Sequence, residues 1–267
     1  MVLEIGVRFL FLTFGAAIFV LASAFYAFAD ENLESTDVNG ACNDGLTTEV
    51  YSPAREITLY GHVPPNPGQR RETATVQIDA LCVMQNEVSW EFYSQCIADG
   101  VCELPLGAPA DSDGPVHSIS ILGALEFAAW LSAETDLEYR LPSEAEWQGF
   151  STLTGMNPWN WQEFINRQEE NIMTGTLRAS GEGPETVNGI RNLFGNVSEF
   201  VDGCYSASLS PVEASFTDHF PDECEFVQVR GGHYLASREF SSPYFRIPIP
   251  ADFSSPQIGM RLVRTLN

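Results

Sequence analysis

The segment Val229-Arg230-Gly231-Gly232-His233-Tyr234-Leu235-Ala236-Ser237-Arg238-Glu239-Phe240-Ser241 gathers side chains that can do chemistry. His233 could act as a general base or as a hydrogen-bonded structural residue. Arg238 and, beyond the segment, Arg246 could contact a polar ligand, and Ser241 offers a hydroxyl. His233, Arg238, Ser241 and Arg246 are therefore the pocket candidates. Redox or hydrolytic metal chemistry has no comparable pattern. The histidines His62, His117, His219 and His233 show neither His-x-x-x-His nor His-x-x-Glu-His spacing. No Cys-x-x-Cys pair is present, which excludes a zinc ribbon or a thioredoxin-type site.

The six cysteines are even in number and all lie beyond the N-terminal apolar segment. In an oxidising compartment that composition favours three disulfides. Cys96 and Cys102 bracket a glycine turn, and Cys204 and Cys224 bracket a loop rich in Ser, Pro and Asp, so each is paired locally. Cys42 and Cys82 then pair by elimination.

The N-terminus runs from Arg8 into an uncharged apolar stretch, Phe9 to Ala29, that ends in Ala27-Phe28-Ala29. Basic residue, apolar core and small-x-small site are the order of a secretory signal peptide. Residues 1–29 are expected to be that peptide, and the protein to be periplasmic or secreted. The same stretch is long enough to span a bilayer, so contact with a membrane is expected only if it is retained. With 13 Lys and Arg against 36 Asp and Glu, the net charge is −23. That balance excludes neutralisation of a phosphate backbone, so neither nucleic acid nor an anionic membrane surface is an expected partner.

Several elements must position the candidate residues. Residues 30–72 show little periodicity and read as an irregular N-terminal arm. Residues 73–267 read as one domain without internal repeats. Thr75 to Met84 reads as one strand, and Val88 to Ala98 as a helix stopped by Gly100. Ser120 to Ala133 is expected to be a second helix capped by Ser120, with Leu122, Leu125, Ala129 and Leu131 on or near its apolar face. Ser143 and Glu146 have capping-box spacing, which starts a third helix over Glu144 to about Ser151. Phe226 to Arg230 and Gln257 to Arg264 read as strands. The expected class is α+β, poor in regular structure and stapled by disulfides.

Five stretches, in order, resemble the formylglycine-generating enzyme family, also called the sulfatase-modifying-factor domain. They are Asn86-Glu87-Val88-Ser89, Pro115-Val116-His117-Ser118-Ile119-Ser120, RLPSEAEW from Arg140, NLFGNVSEF from Asn192, and VRGGHYL with Gly259-Met260-Arg261-Leu262. The resemblance implies the family's C-type-lectin-like fold. In the family's oxidases two cysteines of the last motif bind copper and activate oxygen to convert a sulfatase cysteine to formylglycine. Those positions fall here on Ala236 and Ser241. A methyl group cannot ligate Cu(I) and a hydroxyl does so poorly, so copper is not expected.

The resemblance also implies Ca²⁺ at Asn192, Gly195, Val197 and Glu199, through two side chains and two carbonyls. A second family site would use Asn171 and Ile172, but the segment that should complete it is shortened around Gly181 to Glu185. Ser198 and Phe200 stand where the family usually has Trp, and Asn160 where it has Gly, which implies a remodelled pocket wall. The Asn196-Val197-Ser198 sequon lies inside the calcium motif and is read as coincidental. The leading expectation is a non-enzymatic exported accessory or binding protein with an exported or periplasmic protein partner. The alternative is a cysteine-independent periplasmic oxidoreductase of the siderophore-maturation type. Third comes a formylglycine-generating oxidase acting on sulfatases.

Overall fold

The computed structural model describes residues 41–61, 70–105, 113–152, 172–186, 188–209 and 224–266. The expected signal peptide, His62, His219, Asn160 and Asn171 lie outside the described residues. Short helices form where the sequence supplies caps. In α1 (Trp90–Ala98) the Ser89 side chain accepts from the Phe92 amide, and in α2 (Ile121–Thr135) Ser120 accepts from Gly123. Helix α3 (Glu144–Ser151) starts with the complete Ser143/Glu146 capping box. The face that α2 buries is Ile121, Ala124, Phe127, Ala128 and Leu131, whereas Leu122 is exposed. The helix is thus rotated from the expected face, because Phe127 stacks on Tyr93 of α1 with ring centroids 5.4 Å apart.

Among the described residues ten short strands form three sheets. The first has order β1-β4-β10-β5, with β1 (Glu49–Ser52), β4 (Leu81–Met84), β10 (Val263–Thr265) and β5 (Tyr139–Arg140) all paired antiparallel. The second is the β2 (Arg55–Tyr60) and β3 (Thr73–Ile78) pair. The third has order β8-β7-β6-β9. Its strands are β8 (Ile247–Pro250), β7 (Phe226–Arg230), β6 (Ser198–Cys204) and β9 (Ile258–Gly259), the last running parallel to β6. The expected class, α+β with three disulfides, is what the chain adopts. The pairs are Cys42–Cys82, Cys96–Cys102 and Cys204–Cys224, as local spacing and elimination indicated.

Three expectations need correction. Part of the arm expected to be irregular, residues 49–60, is two strands, one pairing with β4 and the other with β3. The strand expected over Thr75 to Met84 is divided at Asp79-Ala80, because β3 joins one sheet and the fully buried β4 another. Gln257 to Arg264 is divided likewise: Ile258–Gly259 pairs with β6, and Val263–Thr265 pairs with β4 and β5. Between these two strands the chain carries Arg261 into the interior.

One apolar cluster joins α1 and α2 to the third sheet through Tyr93, Phe127, Phe200 and Met260. A second, built on Trp147, Phe150, Phe194 and Tyr244, lies around α3.

Candidate functional site

The two glycines of the VRGGHYL stretch have positive φ, +87° at Gly231 and +73° at Gly232. They also allow close approach. A Cβ on Gly231 would lie 2.7 Å from the Leu193 carbonyl oxygen, and one on Gly232 would lie 2.5 Å from Ser241 Oγ. Two backbone bonds join this stretch to the NLFGN turn: Gly195 N–H donates to Gly231 O, and Tyr234 N–H to Asn196 O, each at 2.9 Å. The double glycine therefore serves contact between two chain segments.

The pocket candidates are held by partners within the fold. His233 Nδ1 accepts from the Leu235 amide at 3.2 Å within its own turn, and burial pulls its pKa below the ordinary value. Ser241 is buried, and its hydroxyl donates to Ser237 O at 3.3 Å. Arg246 is buried and grips Glu144 with two nitrogens, Nε to Oε1 at 2.5 Å and Nη2 to Oε2 at 2.8 Å. Arg230 donates to Glu144 Oε1 at 2.8 Å and to Pro243 O at 2.7 Å, with its guanidinium 5.3 Å from the Trp147 ring centroid. Arg238 is partly exposed and has partners of its own. Ala236 is buried. Helix α3 is thus a hub: Glu144 binds two arginines, Glu146 binds Arg140 through two bonds of 2.6 and 2.7 Å, and Trp147 reaches β6.

The NLFGNVSEF segment is a tight coil in which Asn192 and Asn196 adopt left-handed φ of 56° and 54°, with Gly195 at 94°. Asparagine tolerates this region better than most residues. Glu199, on β6, is 0% exposed and so is its partner Arg261, which donates to Oε1 from Nε at 2.9 Å and from Nη2 at 2.7 Å. Trp147 Nε1 donates to Oε2 at 2.8 Å. Asn192 and Asn196 turn their amide nitrogens to Glu87 Oε2, at 3.1 and 2.8 Å. A calcium ion on Glu199 would have to share that carboxylate with the Arg261 guanidinium, so the four residues fit the ion only if Arg261 yields. Asn196 is buried, which leaves the sequon out of reach in the folded chain. Ile172 is buried, and its neighbour in the second implied site lies outside the described residues.

Sequence reasoning did not assign roles to Glu87, Glu144 and Arg261. The available signal was a charge inside an apolar run, as in Gly-Met-Arg-Leu at 259–262. Glu87 accepts from Asn192, Asn196 and the Val197 amide, and burial before all else pushes its pKa up to about 8. The charge of Arg261 opposes that rise and the charge of Glu199 adds to it.

The family described as the sulfatase-modifying factor enzyme 1-like domain matches residues 55–266. Among solved structures, PvdO from Pseudomonas aeruginosa is similar at a TM-score of 0.65 and 20% identity, covering 85% of this chain and 97% of that one. Variable protein 1 of Treponema denticola is similar at 0.60 and 16%, covering 82% and 95%. CarF is similar at 0.57 and 18%, covering 83% and 99%. These likenesses are of fold. No curated protein sequence matches the chain.

Proposed function

The chain belongs to the sulfatase-modifying-factor family, and from that premise we propose that it is a non-enzymatic exported member that binds a protein partner. The observation that carries this reading is the lack of a thiol. All six cysteines are in disulfides, and the positions that resemble the copper-binding pair hold Ala236 and Ser241, both buried. Without a thiolate there is neither a soft copper ligand nor a redox nucleophile. The loop that remains presents Leu235 and Phe240, which are exposed, to a partner. Three disulfides support export through an oxidising compartment. Among the described residues no helix is long and apolar enough to cross a membrane.

Two experiments test the reading. The full-length chain, supplied with Cu(I), air and a Cys-x-Pro-x-Arg peptide, should leave the peptide mass unchanged; conversion to the aldehyde sinks the proposal. Captured from the exported fraction without chelator, the tagged protein should bring down one stoichiometric protein.

One observation favours the alternative, a cysteine-independent oxidoreductase of the siderophore-maturation type. Arg246 Nη1, Tyr244 Oη and Ser237 Oγ are buried and have no hydrogen-bond partner among the described residues. A polar substrate could use those atoms if the loop opened, and oxygen uptake with a catechol or an amine substrate would then replace partner capture as the positive result. Calcium at Asn192, Gly195, Val197 and Glu199 is a separate proposal, decided by whether added Ca²⁺ raises the melting temperature.

A further inference from the structure

A cleft of about 400 Å³ lies between the 46–48 turn, α1 and the segment before it, and Ser180-Gly181. Neither His233 nor Arg246 lines it. Its floor includes Glu87 and Ser180, which are 3% and 5% exposed. Glu91 and Asp113 add two more carboxyl groups, and no Lys, Arg or His among the described residues lines the cleft. Ser180 Oγ and Asn86 Oδ1 are buried and have no hydrogen-bond partner among the described residues. Buried polar atoms are seldom left so, because each unmade bond costs about 1–3 kcal/mol. Leu46, Met84 and Phe92 give the cleft apolar wall.

We propose that this cleft binds a protonated amine carried on an apolar stem, with Glu87 as the anion at its base. An ammonium group brings three donors and no acceptor, and Glu87, Asn86 and Ser180, which all line the cleft, carry acceptor atoms. The volume is in the range of small-ligand pockets and far exceeds a bare ion. Among the described residues no group of three His, Cys, Asp or Glu is placed to hold a metal ion. No lysine or arginine hydrogen-bonds to Glu87 among those residues, and burial before all else raises its pKa to about 8, the charge of Arg261 opposing that rise. The proposal stands apart from the partner reading above, since no residue of the 229–241 loop lines the cleft.

The test is isothermal titration calorimetry of the full-length chain at pH 8.5 with n-hexylamine, n-hexanol, hexanoate, the amide of N-acetyl-lysine, and CaCl₂. Hexylamine should bind at least about tenfold more tightly than hexanol or hexanoate. Glu87→Gln should weaken hexylamine by at least about tenfold, and Ser180→Ala by about fivefold. Ser180→Ala deletes a hydroxyl with no hydrogen-bond partner among the described residues, so it carries the test even if Glu87→Gln fails to fold. Tight binding of the lysine derivative assigns the site to a lysyl side chain of a protein; binding of hexylamine alone assigns it to a free amine. Equal binding of amine and alcohol, calcium binding without amine binding, or full affinity in Ser180→Ala overturns the proposal.

Discussion

Arg261→Met replaces a buried guanidinium by an apolar side chain of similar length. It deletes two bonds to Glu199 Oε1, two to the carbonyls of Met84 and Gln85, and one to the Arg191 carbonyl. Among the described residues Glu199 then keeps only Trp147 as a side-chain donor, at a position that is 0% exposed. Removing one partner of a buried pair costs about 3–5 kcal/mol, because the other charge is left without compensation. That is a large share of the roughly 5–15 kcal/mol that holds a typical domain together. We expect a loss of about 4 kcal/mol in urea unfolding, followed by tryptophan fluorescence with the disulfides intact. Glu199→Gln alone should cost about 3 kcal/mol, for the mirror-image reason. The double variant should cost less than the two single losses together by about 1.5 kcal/mol or more, since neither orphaned charge survives in it. A loss under about 1 kcal/mol in Arg261→Met, or strict additivity, refutes the claim that this pair organises the interior. The comparison holds only if unfolding is two-state, which coincident fluorescence and circular-dichroism transitions check.

Gly232→Ala places a methyl 2.5 Å from Ser241 Oγ at a φ of +73° and should cost about 2–3 kcal/mol in the same assay; Ser241→Ala, by contrast, should cost about 1 kcal/mol. Glu87 carries a raised pKa, from 4.5 to about 8, so the folded chain holds a proton there that the unfolded chain releases. The stability this proton gives is full below about pH 4.5 and is lost as pH rises through about 8. Glu87→Gln should therefore gain on the wild type as pH climbs across that window, by roughly a few kcal/mol at its upper end. Urea midpoints measured from about pH 5 to about pH 9 check it, and a constant difference is the contrary result. Replacing Cys42 and Cys82 together by Ala opens a loop with a separation of 40 residues and should cost about 4 kcal/mol by the chain-entropy relation, read from the melting transition.

Local features are legible in the order of residues alone. Ser89, Ser120 and the Ser143/Glu146 box fix helix starts because a cap closes over three residues. Two cysteine pairs follow from spacing and the third by elimination, and the run Phe226–Arg230 is a strand with the expected bounds. The ordered motifs carry the family. Sequence also locates the loop around His233, although it cannot say that Arg246 is held by Glu144 or that Ser241 lies behind Gly232.

What tertiary structure alone decided is where charges are buried and where strands change sheets. Glu199 meets Arg261 across 62 residues, and Glu87 meets the Val197 amide across 110. Neither separation leaves a local pattern, since hydrophobic periodicity reports which face is buried and is silent about which buried groups meet. The division of residues 75–84 between two sheets is of the same kind. Its alternating and apolar halves each read as strand, and only their partners, β2 for one and β1 with β10 for the other, assign them to different sheets.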